Sequence, residues 1–424
     1  MTPEIRKRID QIRHGIVPKG YRKTKAGIVP ADWSECTIAD CLERVERPVE
    51  VKADEMYTQI GIRSHGKGLF YKEPVRGEEL GNKAVFWIEP DCFVLNIVFA
   101  WEQAIGKTTQ AEEGMIGSHR FPMYRPVDGK IDIDYLISYL MTKRGKDILE
   151  AASPGGAGRN RTLGQDRFMN SKIVLSTPAE QKKIAEILTT QDKVIELKEQ
   201  LLAEKQRQKK YLMQQLLTGK KRLPGFNGKW EYVELGTLAK KQTQKNAGFA
   251  YTLVLSNSAQ HGIIPQADQF DKEIACEDHI DGYYVVHNGF FVYNPRISVT
   301  APCGPINRNE TGRTGVMSPL YTVFAVESEL ISKDFLKQYF QSSCWYKHMK
   351  SVANYGARHD RMSISDEDFF QMPIPVPSLE EQKTVAQILT LADQEIGLLR
   401  SNLEQEKKKK KALMLLLLTG IVRV

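Results

Sequence analysis

The sequence predicts an α+β protein made by tandem duplication: two similar blocks with β-sheet cores, separated by two long helices that form an antiparallel coiled coil about a pseudo-twofold axis. Three observations predict it. The segment AEQKKIAEILTTQD at Ala179 recurs as EEQKTVAQILTLAD at Glu380. The windows that these segments open run for about 40 residues without internal proline and close on a Thr-Gly pair. Between them lie alternating apolar runs followed by helical ones, twice.

The helices carry the strongest signal, because self-similarity at a fixed offset is the mark of repeated architecture. Glu180 maps onto Glu381, and at the same offset Ala185 meets Ala386, Leu188 meets Leu389, Asp192 meets Asp393, Ile195 meets Ile396 and Leu202 meets Leu403. No gap interrupts the match up to Leu216-Leu217-Thr218-Gly219 and Leu417-Leu418-Thr419-Gly420. Proline before the start and glycine past the end are helix start and stop signals. Leu188, Ile195 and Leu202, like Leu389, Ile396 and Leu403, recur every seven residues, the spacing of a coiled-coil seam. Two such stripes in one chain most simply bury each other.

The blocks repeat more loosely. DWSECTIADCL at Asp32 parallels KWEYVELGTLA at Lys229, and CFVLN ending at Asn96 parallels FFVYN ending at Asn294. Ser118, Phe121 and Tyr124 parallel Ser318, Tyr321 and Phe324, and DYLISYL at Asp134 parallels DFLKQYF at Asp334. CFVLNIVFA, YYVVHNGFFVYN, SHRFPMYRP and SPLYTVFAV read as strands. DIDYLISYLMTKRGKDILEA and SKDFLKQYFQSSCWYKHMKSV read as helices. The expected organisation is an N-terminal segment 1–31, a first block 32–177, a central spacer helix 178–222, a second block 223–376 and a C-terminal spacer helix 377–424.

Composition narrows the function classes. At 424 residues the chain exceeds one typical core. A formal charge of +8 suits a polyanion partner, and equally a soluble protein that is merely basic. The cysteines Cys36, Cys41, Cys92, Cys276, Cys303 and Cys344 include no Cys-x-x-Cys pair and read as reduced thiols; Cys36 and Cys41 with His65 are the one imaginable ligand group, and no metal site and no cofactor is expected. The start MTPEIRKRIDQIRHG lacks the apolar stretch of a secretory leader, so a cytoplasmic, membrane-free protein is expected.

These repeats resemble the specificity subunits of type I restriction–modification systems. The marks are the EQKKIAEIL and EQKTVAQIL openings, the LLTG ends, the paired tryptophans and the two GA-x-x-x-R blocks, Gly156-Ala157 with Arg161 and Gly356-Ala357 with Arg361. The resemblance covers nearly the whole chain. It implies two target recognition domains, each reading half of a split double-stranded DNA site, with the helices as a spacer of fixed length. It also implies two methyltransferase subunits that carry the chemistry, and restriction subunits that add ATP-driven translocation and cleavage. GIRSHGKGLFYKEPVRG and SNSAQHGIIPQADQF share little, so base contacts do not transfer residue by residue.

No catalytic centre is expected in this chain. An adenine methyltransferase needs an Asp/Asn-Pro-Pro-aromatic loop for the extruded base, and Asn294-Pro295-Arg296-Ile297 lacks its second half. No Gly-x-Gly-x-x-Gly after a strand and no P-loop is present. Glu180-Gln181-Lys182 and Glu381-Gln382-Lys383 match a fragment of nuclease motifs, but acidic residues opening a helix are explained by its dipole.

What remains is a binding surface of loop cations, since Arg and Lys contact phosphates and Arg grips guanine. In the first block the candidates are Arg63, His65, Lys67, Arg76, Lys107, Arg120, Arg159 and Arg161; in the second, Arg296, Arg308, Arg313, Arg358, His359 and Arg361. For any one of them taken singly, a solvated surface charge is the plainer reading. Arg161 and Arg361 stand out by recurring after a Gly-Ala pair, either against a phosphate or holding their own loop through a carboxylate. Lys209-Lys210 and Lys407–Lys411 are solvated helix faces or a positive track over spacer DNA. The rival reading is a coiled-coil scaffold whose end blocks bind protein.

Overall fold

The computed structural model describes residues 2–24, 27–81, 84–155, 161–269, 277–353 and 360–424. The chain divides into two compact units, Met1–Lys198 with Asn402–Val424, and Glu199–Ser401. It passes between them inside the two long helices, Pro178–Leu216 and Leu379–Leu418.

Each unit has a four-stranded antiparallel sheet of the same order. In the first, Ile105–Lys107, Phe93–Leu95, Met123–Pro126 and Leu42–Val45 lie side by side. In the second, Ile306–Arg308, Phe291–Tyr293, Thr322–Val326 and Ala239–Lys241 do. Smaller pairs repeat too: Ser34–Thr37 on Lys172–Leu175 answers Glu231–Glu234 on Pro373–Val376, and the hairpin Ile60–Ile62 with Leu69–Tyr71 answers Leu255–Ser258 with Gly262–Pro265. The duplication therefore extends to strand order, well beyond the residues that match in sequence. The central strands are buried through their length, and Phe93, Tyr124 and Phe168 cluster in one core as Phe291, Phe324 and Phe340 do in the other. Every apolar core cluster lies within a single unit.

The two single helices expected after the sheet are each two helices. Ile133–Leu140 is followed by Lys143–Ala152, and Lys333–Gln341 by Tyr346–Val352. The break in the first has a clear cause. The Thr142 hydroxyl accepts from the Gly145 N–H at 3.1 Å, capping a new helix. Gly145 also packs so close to the preceding helix that a Cβ would lie 2.3 Å from the Leu140 Cα.

The long helices pair within each unit. In the first, Asp192 meets Lys410, Gln191 meets Glu406, and Lys198 meets both Glu406 and Asn402. In the second, Lys205 meets Glu395 and Lys209 meets Asp393. From Asp192–Lys410 to Lys198–Asn402, and from Lys205–Glu395 to Lys209–Asp393, partner numbers fall as residue numbers rise, so the pairing is antiparallel in both. Leu188 is buried against Leu417 and Leu418, and Leu389 against Leu216 and Leu217. Ile396 and Leu403 are buried, whereas Ile195 and Leu202 are half-buried. Gly397 sits inside the second helix, where a Cβ would meet nothing. Both helices end at glycines of positive φ, Gly219 at 67° and Gly420 at 70°, the left-handed cap that glycine adopts without strain. Among the described residues no helix is long and apolar enough to cross a membrane.

One of these pairs makes stability depend on pH. Donation from the Lys198 ammonium and the Gln191 amide holds the Glu406 carboxyl down to about 2. A glutamate of the unfolded chain titrates near ~4.3, so the folded state binds the proton less readily. The contribution is present above pH ~4.3 and is lost as pH falls towards 2. Glu406→Gln is expected to flatten the urea midpoint between pH 5 and 2, while leaving the profile above pH 5 unchanged in slope.

Candidate nucleic-acid interface

In the first unit the hairpin tip between Ile62 and Leu69 presents Arg63, His65 and Lys67, all exposed. The tip is fixed by backbone bonds, His65 N–H to the Glu102 carbonyl at 2.8 Å and Gly66 N–H to that of Gln103 at 2.9 Å. Gly66 has φ 63°, and a Cβ there would run into the Met141 sulfur at 2.5 Å, so only glycine fits. Arg63 lies over the Phe70 ring and donates to the Leu69 carbonyl. The segment reached by the tip also receives other candidates. Arg120, exposed, accepts from Ile97 N–H at 3.0 Å through its carbonyl. Arg161 stacks over the Trp101 ring at 5.4 Å, and Leu163 N–H bonds the Ile97 carbonyl. Residues 97–103 thus bond the hairpin tip and Arg120 through backbone and receive Arg161 on the Trp101 indole. Arg76 is exposed on the strand Val75–Arg76, away from these contacts. Lys107 is tied to Asp134 at 2.9 Å.

In the second unit Arg296 and Arg361 form an antiparallel β-bridge, reinforced by Ile297 N–H to the Asp360 carbonyl and Met362 N–H to the Pro295 carbonyl. Burial pushes the Tyr321 hydroxyl up, while a hydrogen bond with Ser256 and the charges of Arg296 and Arg361 pull it the other way. Two arginines on bridged backbone suit a phosphate contact. Arg308 is differently placed: its side chain, 15% exposed, is clasped by Glu310 at 2.5 Å and Asp334 at 2.7 Å. The pairs Lys107–Asp134 and Arg308–Asp334 occupy corresponding places, each tying an edge strand of the sheet to the first turn of a helix. Their charge is spent inside the fold. Arg313 is exposed on the turn after Asn309. Arg159, Arg358 and His359, with Gly156, Ala157, Gly356, Ala357 and Cys276, lie outside the described residues.

The lysine runs are partly engaged as well: Lys209 and Lys410 pair across the helices, and Lys407 and Lys409 lie near Glu404 and Glu406 one turn back. Cys36 and Cys41 are free thiols with sulfurs 3.4 Å apart, and among the described residues no three His, Cys, Asp or Glu side chains could hold a metal ion.

Beneath these surfaces sits a feature that sequence reasoning missed. Glu180 opens the first long helix, and its buried carboxylate accepts from Trp33 Nε1 at 3.0 Å and from Arg423 Nε at 2.6 Å. Arg423 also grips Asp32 through both terminal nitrogens and holds that carboxyl below the usual range. Glu381 opens the second long helix and accepts from Trp230 Nε1 at 3.1 Å and Arg222 Nε at 2.7 Å. The following glutamines match in turn. Gln181 accepts from Asp132 N–H and donates to the Lys130 and Ser176 carbonyls. Gln382 accepts from Ser332 N–H and donates to the Leu330 and Pro377 carbonyls. The Glu-Gln pair therefore fastens each block to the helix that follows it. The dipole explanation of these glutamates is incomplete; charge-assisted bonds to arginine and indole give them a larger role. The signal lay in Arg222 and Arg423, which obey the same offset as the helices.

Comparison with known proteins agrees with this construction. Residues 91–206 match the family profile of the type I restriction modification DNA specificity domain. Over 96% of its length the chain is 25% identical to the putative type I restriction enzyme MjaX specificity subunit of Methanocaldococcus jannaschii, of which 97% is covered. It is 26% identical to the MjaVIII specificity subunit of the same organism, over 93% of this chain and 94% of that one. In fold it is similar to the HsdS subunit from Thermoanaerobacter tengcongensis, at a TM-score of 0.50 and 17% identity over 93% of this chain and 98% of that one. It is also similar to the type I S subunit from M. genitalium, at 0.54 and 13% identity over 91% and 96%. The chain is HsdS-like: it is similar in sequence to type I specificity subunits along nearly its whole length, and in fold to HsdS subunits.

Proposed function

We propose that this chain is the non-catalytic DNA-specificity subunit of a type I restriction–modification complex, reading a bipartite target with one recognition domain per half. The observation that carries the reading is the repetition: two sheets of one strand order, each in a unit that carries candidate arginines, in a chain that aligns end to end with named specificity subunits. Two methyltransferase subunits supply the methyl transfer, and restriction subunits join the same assembly. The domains proposed as readers are 32–177 and 223–376, with 178–222 and 377–424 as spacer.

Arg63, Lys67, Arg120, Arg161, Arg296, Arg313 and Arg361 are the proposed phosphate and base contacts, with Arg76 and His65 at the margin. Lys107 and Arg308 position the sheet edge. Arg161 has no carboxylate partner among the described residues, and Arg361 has only Asp360, at 3.9 Å. That favours DNA over a loop-holding ion pair.

Salt titration of Arg161→Ala and Arg361→Ala, each assembled with the methyltransferase subunit, tests the reading on cognate and scrambled duplexes. A phosphate contact lowers affinity for both duplexes and reduces the salt slope by about one unit per contact. A gripped base costs about 1–3 kcal/mol on the cognate duplex alone. Unchanged affinity and slope in both variants would show arginines that serve their own loops. A protein-binding scaffold would show no salt-dependent duplex binding at all. The same preparations, without the methyltransferase subunit, are expected to transfer no methyl group from S-adenosylmethionine.

A further inference from the structure

The strands Phe93–Leu95 and Phe291–Tyr293 run into loops built on one frame. Each loop opens on an asparagine whose side-chain oxygen accepts from the N–H two residues on, Asn96 from Val98 at 3.1 Å and Asn294 from Arg296 at 3.0 Å. Each closes where the same asparagine's N–H donates to a carbonyl across the loop, that of Ala104 in the first unit and that of Pro305 in the second. Each is also joined from outside, by Leu163 N–H to the Ile97 carbonyl and by Met362 N–H to the Pro295 carbonyl. The frame is common and the tips are not. In the first unit the tip is the single turn Ala100–Glu102, whose indole, Trp101, carries Arg161. In the second, Ser298 and Ala301 exchange two backbone hydrogen bonds, at 3.0 and 3.2 Å, with Val299 and Thr300 between them.

Val299 is fully exposed, whereas Ala301 and Cys303 just behind it are buried. A single exposed apolar residue is ordinary on a protein surface, but this one is rigidly mounted. Ser298 and Thr300 pair their hydroxyls at 3.2 Å, Ser298 Oγ accepts from Ala301 N–H at 3.1 Å, and the Ala301 carbonyl accepts from Gly304 N–H at 3.0 Å. Gly304 has φ 76°, and a Cβ there would lie 2.1 Å from the Asn294 carbonyl oxygen, so only glycine closes the loop. The β-branched side chain has little rotamer freedom left to lose on contact. Arg296, three residues before it, is exposed on backbone bridged to Arg361. Cations on phosphates position a loop and carry no sequence information; base edges supply that. On a base edge in the major groove, the apolar partner is the C5-methyl group of thymine. We propose that Val299 is a specificity-determining residue, reading one thymine in the second unit's half-site through its C5-methyl group. The proposal rests on the reading of this chain as a DNA-specificity subunit and deepens it. The first unit places Trp101 and Glu102 at the corresponding tip, so the contact belongs to one half-site alone.

The test uses the full chain assembled with its methyltransferase subunit and the cognate duplex, with each thymine replaced in turn by deoxyuridine, which pairs alike and lacks only the methyl group. One position in the second half-site is expected to lose about fourfold in affinity, the worth of one buried methyl group. Val299→Ser is expected to bring thymine and deoxyuridine to equal affinity at that position, and to leave every position of the first half-site as in wild type. The variant keeps its salt slope, since no phosphate contact is lost, and its melting profile, since the side chain is exposed. Sequence-selective binding with no methyl-sensitive position in the second half-site, or with sensitivity that survives Val299→Ser, would overturn the proposal and leave the specificity reading standing. So would a loss in Val299→Ser that is equal on cognate and scrambled duplexes. Absence of any salt-dependent, sequence-selective duplex binding would overturn both.

Discussion

Glu381→Ala is expected to lower the stability of its own unit by about 3 kcal/mol, the low end of the cost of breaking a buried ion pair, and Glu180→Ala to lower that of its unit by less. Each carboxylate is buried, and each removal takes an acceptor from an indole N–H and a partner from an arginine, but Arg423 keeps its pair with Asp32. The low end applies because Arg222 and Arg423 are partly exposed and water takes up some of their charge. Glutamine at either position keeps an acceptor for the indole and loses the charge, so Glu180→Gln and Glu381→Gln fall between wild type and alanine. Urea denaturation followed by tryptophan fluorescence reads the effect directly, because Trp33 and Trp230 sit at the two clamps. A loss below about 0.5 kcal/mol, the range of an ordinary surface substitution, would reduce the clamps to bystanders.

The long helices were legible because their information is local and repeated: an ungapped offset, a seven-residue period and terminal glycines each point to the same rods. The sheets were legible as strands and not as an order, since strand order depends on pairings such as Phe93 with Tyr124 that no local pattern encodes. The split of each post-sheet helix escaped because Thr142 reads as an ordinary helix residue until its hydroxyl caps Gly145. Among the candidate cations, sequence could not tell Lys107 and Arg308 from Arg296 and Arg361. The difference lies in the aspartates Asp134 and Asp334, brought alongside only by folding. Trp33, Glu180 and Arg423 are far apart in the chain, so their clamp was visible only as three separate repeats.

Exchange of residues 32–177 for the corresponding block of a related subunit is expected to change one half of the recognised DNA site and leave the other half as it was. The expectation rests on separate cores: among the described residues, each apolar cluster is made of residues of one unit. The condition for success is also visible. Asp32 and Trp33 travel with the exchanged block, while Glu180 and Arg423 stay, so the incoming block must offer a tryptophan and an acceptor for Arg423 at the same places. A block lacking them should unfold its unit before specificity can be read. With them, affinity for the original site is expected to fall by about 10³-fold or more, the gap between specific and non-specific binding. Selection of bound duplexes from a randomised library, using the chimaera assembled with its methyltransferase subunit, gives both half-sites in one measurement. A change in both halves would mean that the second domain reads DNA only in the company of the first, and the two-reader arrangement would have to be abandoned.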